Sequence, residues 1–243
     1  MIDTAAVKIQ KKSVAVWWLG QGGFLFKTSS GYLVAVDPYL SGSVNLPRIV
    51  PVPVAPSELK ADLLFCTHDH EDHADRATLS HVKDITNFAG PGSVCRIYMA
   101  CGIDKTKTIS IDRGESKQIG PVKVTSVFAR HTGDSVGVVL DLEGVTVYVS
   151  GDTEYDDKLK EVQAYRPDLM FICINGKWGN MSYADAVRLC GEVKPQMVIP
   201  MHYGMFAENT VDPQMFLDEL KKTCCNGAVR VLEIGEPFVF PVA

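Results

Sequence analysis

The stretch Thr67-His68-Asp69-His70-Glu71-Asp72-His73 places three histidines and three carboxylates within seven residues. Imidazole nitrogens and carboxylate oxygens together suit Zn, Mn or Fe, and charges packed this closely repel unless a cation sits among them. Alternate residues of an extended segment point the same way, so His68, His70 and Asp72 can converge, with His73 following as the chain turns. A solvated polar loop would account for the acids but not for the density of histidine.

Of the six histidines, three stand outside this cluster. His131 follows the apolar run 122–128, and His202 follows the run 197–201. His81 lies in a helical stretch over 76–82 and is expected to face solvent or cap the helix. Asp152 follows the run 145–149 in Ser150-Gly151-Asp152-Thr153, and the cluster itself follows the run 63–66. Each candidate ligand therefore sits just past a predicted strand, where loops carry function on a rigid scaffold.

Those strands must come from the rest of the pattern. Residues 14–19, 24–27 and 32–36 read as strands, bent at Gly22-Gly23 and turned at Ser29-Ser30-Gly31. Further strands are predicted over 97–100, 108–112, 122–128, 136–142, 145–149, 169–174, 230–234 and 238–240, with Glu143-Gly144 as a hairpin turn. Asp75 caps a short helix from Arg76, Ser182 and Asp185 form a capping box for a helix to about Val193, and Asp212-Pro213 opens another. Pro47, Pro51, Pro53 and Pro56 forbid a helix or a central strand, which makes that segment a stiff connector whose apolar side chains shape one side of a pocket.

With 243 residues, 46% of them hydrophobic, the chain is expected to fold as one domain over 1–243. No apolar stretch approaches the roughly 18 residues of a membrane span. The N-terminus lacks the basic and apolar pattern of a secretory leader. A net charge of −5 argues against a nucleic-acid surface. The expectation is a soluble cytoplasmic protein acting on a small molecule. Seven cysteines, an odd number with no Cys-x-x-Cys pair, read as reduced and structural, including the adjacent Cys224 and Cys225.

The order His-x-His-x-Asp-His, a separate histidine, Gly-Asp after a strand and a last histidine after a strand resembles the metallo-β-lactamase superfamily over nearly the whole chain. Val16-Trp17-Trp18-Leu19-Gly20, Val36-Asp37-Pro38, Thr67-His68-Asp69-His70, Ser150-Gly151-Asp152-Thr153 and Val198-Ile199-Pro200-Met201-His202 bring it nearer to the L-ascorbate-6-phosphate lactonase-like hydrolases. Those are longer, with segments that this chain lacks. The resemblance implies an αββα sandwich, two packed mixed β-sheets with helices on the outer faces. It implies His68, His70 and His131 around one metal, Asp72, His73 and His202 around a second, and Asp152 bridging. Asp37 would sit beneath the metal loop and orient a ligand.

Two divalent ions of this kind, Zn or Mn (the lactonase uses manganese), stand roughly 3.5–4 Å apart and lower the pKa of a shared water. Asp72 would hold that water in line and return its proton to the leaving group. A complete ligand set favours hydrolysis, whereas the flavodiiron relatives carry a carboxylate where this chain has His70.

Substrate determinants are expected in Asn175-Gly176-Lys177-Trp178-Gly179-Asn180. Lys177 offers a charge, while Asn175 and Asn180 can bond hydroxyls or a phosphate. Tyr203 either donates to an oxyanion or packs, and Arg130 either orients His131 or serves the surface. The reading is a metal-dependent hydrolase opening a lactone, or cleaving an ester, of a small polar metabolite, phosphorylated or not. The alternative enzyme is a phosphodiesterase on a small or phospholipid-like diester. The alternative of another class is a metal-loaded binding or sensor protein without turnover. β-Lactam hydrolysis and RNA processing are disfavoured, and assembly into a homo-oligomer is an expectation carried over from the lactonase relatives.

Overall fold

The computed structural model describes residues 2–223 and 227–241, so Cys224 and Cys225 lie outside the described residues. The first sheet runs in the order β14-β1-β2-β3-β4-β5-β6. Its strands are β1 (Val14–Gly20), β2 (Gly23–Lys27), β3 (Leu33–Val36), β4 (Lys60–Phe65), β5 (Asp84–Gly90), β6 (Thr108–Ser110) and β14 (Pro237–Phe240). The second runs β13-β12-β11-β10-β9-β8-β7. It holds β7 (Ser116–Ile119), β8 (Val122–Phe128), β9 (Val136–Leu142), β10 (Thr146–Val149), β11 (Leu169–Cys173), β12 (Met197–Met201) and β13 (Ala228–Val229). Each sheet is antiparallel from one edge to its middle and parallel beyond, from β3 to β6 and from β10 to β13.

The period of two in β1 explains the layering. Val14, Val16 and Trp18 point into the core between the sheets, while Ala15, Trp17 and Leu19 point to the outer face under the helices. Strands buried on both faces read as continuous apolar runs, which is how β1, β11 and β12 appear in the sequence. Phe171 of β11 joins the sheets, with its ring centroid 4.5 Å from Phe24 and 5.4 Å from Phe26. Burying such a side chain contributes about 1.5–3 kcal/mol.

Helices α1 (Arg76–Leu79) and α2 (Gly92–Ala100) cover the first sheet through Leu79, Val94, Ile97 and Tyr98. Helix α3 (Tyr183–Val193) begins at the capping box of Ser182 and Asp185 and packs Ala186, Val187, Leu189 and Val193 against the second sheet, beside α4 (Pro213–Leu220). The αββα arrangement is therefore present. No helix among the described residues is long and apolar enough to cross a membrane.

Several elements differ from the sequence reading. Residues 97–100 end helix α2 instead of forming a strand, because Val94, Ile97 and Tyr98 bury one face at helical spacing after Pro91. Residues 230–234 are not a strand. The pairing stops at β13, and Ile234 makes only an isolated bridge to Trp18 of the other sheet. Strands β5 and β7 went unseen because each mixes polar with apolar residues, and β7 lies at a sheet edge with Ser116, Lys117 and Gln118 exposed. Helix α1 stops at Leu79, short of residue 82, and His81 is exposed with its ring against Ala77 O.

The proline connector folds over Tyr39, Met205 and Phe206. Arg48 fastens it by donating to the carbonyls of Tyr39 and Val50 at 2.9 Å each.

Candidate metal centre

Every candidate ligand leaves a strand at its C-terminal end: His68, His70, Asp72 and His73 after β4, His131 after β8, Asp152 after β10 and His202 after β12. The two sheets bring these ends together. His68, His70 and His131 form one group, Asp72, His73 and His202 another, and His68, His73 and Asp152 a third, the donor atoms in each lying within 4.8 Å of one another.

Asp37 anchors the arrangement from the end of β3. Its backbone is left-handed at φ 44, and its carboxylate is fully buried. It accepts Thr67 N–H at 2.7 Å, the Thr67 hydroxyl at 2.6 Å and His73 Nδ1–H at 2.8 Å. Since the Thr67 hydroxyl directs its single hydrogen to Asp37, its 3.0 Å contact with His68 Nδ1 requires His68 to donate. His68 Nε2 then carries the lone pair, buried and without a hydrogen-bond partner.

His131 is set in the same way, because Nδ1–H donates to Gly179 O at 2.9 Å and Nε2 turns inward, 3.1 Å from His70 Nδ1. An outside acceptor on one ring nitrogen fixes the tautomer and aims the other nitrogen, as at metal-ligating histidines. His73 Nε2 lies 3.3 Å and His202 Nε2 3.0 Å from Asp152 Oδ1.

Space is as constrained as direction. A Cβ at Gly151, whose φ is +58, would meet the Thr67 side chain and Val136 O at 3.0 Å. Asp152 reaches the cluster only because glycine precedes it.

Charge divides the cluster. Burial and the neighbouring His73 push His68 well below its ordinary value. Burial and His131 push His70 down as well. For His73, burial opposes the charge, but Asp152, Asp37 and Asp72 outweigh it and raise the imidazole well above its usual range. His202, likewise buried, is lifted to about 9 by Asp152 and Asp72. Burial would raise the Asp72 and Asp152 carboxyls, yet His73 and His202 hold both below the ordinary carboxylate range. The protein thus meets buried negative charge with protons on two imidazoles, and a divalent cation fits in place of those protons. Buried His68 Nε2, His73 Nε2 and Asp152 Oδ1, which find no hydrogen-bond partner outside the cluster, are a donor set of that kind.

The expected substrate residues separate. Asn175 and Asn180 are buried, each with its amide oxygen unpartnered. Asn175 Nδ2 donates to Asn209 Oδ1 at 2.6 Å and Lys177 O at 3.3 Å, so its nitrogen is identified and the free atom is an acceptor. Lys177 is exposed and donates to Glu208 O at 2.9 Å. Tyr203 packs its ring 4.9 Å from Trp18 in the core, with its hydroxyl unpartnered. Arg130 turns to the surface, toward Glu154 and Asp156.

The sequence reading missed Gln21, whose Nε2 lies 2.9 Å from Asp72 Oδ2 and 3.2 Å from His202 Nε2. The available signal was a polar residue among glycines at the end of an apolar strand.

This fold and these motifs have counterparts. The chain belongs to the beta-lactamase superfamily, since the model described as "Beta-lactamase superfamily domain" matches residues 15–202. A UPF0173 metal-dependent hydrolase of Archaeoglobus fulgidus is 30% identical over 239 residues, spanning 93% of this chain and 98% of the relative. Among solved structures, a metallo hydrolase from Ignicoccus hospitalis aligns with a TM-score of 0.77 at 23% identity, covering 95% of this chain and 100% of that one. An isothiocyanate hydrolase from Delia radicum gut bacteria aligns with a TM-score of 0.75 at 16% identity, covering 92% and 98%. These two share the fold, and a fold alone does not choose the bond that is broken.

Proposed function

We propose that the protein is a metal-dependent hydrolase that opens a lactone, or cleaves an ester, of a small polar metabolite, phosphorylated or not. One observation carries this reading: donor atoms of seven side chains from four strand ends converge, with unpartnered nitrogens and oxygens turned toward one another. His68, His70 and His131 would hold one Zn or Mn ion, Asp72, His73 and His202 a second, and Asp152 would stand between them. Such ions acidify a water and polarise the scissile oxygen. Asp72 would receive the proton and return it to the leaving group. Its side chain is 17% exposed, whereas Asp37 and Asp152 are sealed in, so Asp72 is the carboxylate a substrate can reach.

The loop over 175–180 carries Gly179, whose carbonyl fixes His131, which supports its proposed place beside the site. We place the protein in the cytoplasm as one domain over 1–243, in keeping with the absence of any disulfide among the described residues.

The test is turnover of a hydroxylated lactone, a simple ester and bis-p-nitrophenyl phosphate, before and after chelation and after reloading with Zn or Mn. Chelation-sensitive lactone or ester cleavage is expected. Cleavage of the diester alone would replace this reading with a phosphodiesterase. Stoichiometric metal without turnover of any of the three would replace it with a binding protein.

A further inference from the structure

The two sets of candidate ligands are held by different parts of the chain, and one holder lies outside the histidine motifs. Gln21 stands between β1 and β2, fully buried, with a left-handed backbone at φ 53. A non-glycine residue keeps that conformation only where its contacts over-determine it, and apart from one to Trp18 the hydrogen bonds here lead to Asp72 and His202. The Gln21 carbonyl accepts Trp18 Nε1–H at 3.0 Å and the backbone N–H of His202 at 3.1 Å.

Its side-chain Nε2 lies 2.9 Å from Asp72 Oδ2 and 3.2 Å from His202 Nε2. Ionised Asp72 only accepts, so the amide must turn its nitrogen toward it, which fixes the orientation that an amide otherwise leaves ambiguous. The next residue completes the cradle, since a Cβ at Gly22 would fall 2.8 Å from His73 Cε1. Two consecutive residues therefore touch Asp72, His73 and His202, while no hydrogen bond of Gln21 reaches His68, His70 or His131.

We infer that Gln21 is a positioning residue for the Asp72–His73–His202 set and not for its neighbour. It holds Asp72 Oδ2, the oxygen that lies 3.5 Å from His202 Nε2 and 3.8 Å from His73 Nε2, in place among them, and its carbonyl fixes where the His202 backbone enters the site. An amide in this place adds a donor without adding charge, so the set keeps its negative balance. The inference rests on the metal reading above and adds that the two half-sites can be weakened separately by a change outside the ligands.

Gln21→Met keeps the length of the side chain and removes the donor. Calorimetric titration of the folded, metal-stripped protein with zinc is expected to show one of two equivalents weakened roughly 10–100-fold and the other unchanged, the size found when a ligand's supporting partner is lost. In an Asp72→Asn background the same change should add little, because Gln21 acts through Asp72. Gln21→Asn, which retains the amide but shortens its reach by one methylene, should give a smaller loss at the same equivalent. Both equivalents unchanged, both weakened alike, or a loss fully additive with Asp72→Asn would overturn the inference. A wild-type protein that binds no cation would overturn the metal reading itself, and is told apart because no variant is needed to see it.

Discussion

The two halves of the candidate metal centre are built on opposite electrostatic terms. On one side, burial and neighbouring imidazoles push His68 and His70 down, so they present neutral rings, and His70 is exposed at the mouth. On the other side, His73 and His202 are sealed among Asp37, Asp72 and Asp152, which hold protons on them. A cation entering the open half meets lone pairs, whereas a cation entering the buried half must displace protons. The difference comes from the strand ends: Asp37 and Asp152 flank His73, while His131 faces a backbone carbonyl.

The strongest way to separate the halves is His73→Ala, which removes the ring that lies between Asp72 and Asp152. It is expected to abolish the buried-half equivalent and lower turnover by about three orders of magnitude, read by metal analysis alongside kinetics. Asp37→Ala tests whether the halves share a foundation. It unseats both His73 and Thr67, and through Thr67 it unseats His68, so it should weaken both equivalents, by roughly 10–100-fold. Weakening of one alone would break the shared-foundation account.

The pH dependence sharpens the contrast. His202 titrates at about 9 in the metal-free protein, so affinity in the buried half should rise with pH up to that value. The rise should be about tenfold per unit for each proton displaced. The open half should be nearly flat over the same window, because burial and neighbouring imidazoles already keep His68 and His70 neutral. Calorimetry in buffers of different ionisation enthalpy reads the released protons directly.

Stability of the metal-free protein runs the other way. A raised folded-state pKa stabilises below the ordinary imidazole range and is lost as pH rises through about 9. Its melting temperature should therefore fall across that window. The smallest effect is expected from Gly179→Ala, where a Cβ would meet His131 Nδ1 at 3.0 Å and φ is +83. It should weaken only the open half, by several-fold, as seen in the same titration.

The sequence made this centre legible because metal ligands are rare residue types placed at strand ends. His68, His70, Asp72, His73, His131, Asp152 and His202 stood out from their neighbours, and so did Asp37, which interrupts an apolar run. Strands β1 to β3 and the second half of β4 were visible because strands buried on both faces leave uninterrupted apolar runs. Helix α2 was not, since residues 97–100 look the same as a short strand until Val94 is counted with them.

Gln21 was missed for a different reason: a polar residue among glycines marks its position but not its partners. Its role depends on a 51-residue jump to Asp72 and a 181-residue jump to His202, and nothing in its immediate neighbourhood announces either. The expectation that Lys177 reaches substrate is not favoured by its bond to Glu208 O, a contact no local pattern predicts.

The measurement that tests the account most directly is native mass spectrometry of the metal-stripped protein titrated with zinc, with His73→Ala run in parallel. The account predicts two zinc ions on the wild type, filled at separable concentrations, and one on His73→Ala. A wild type that takes up no ion, or a His73→Ala protein that still binds two, would contradict it.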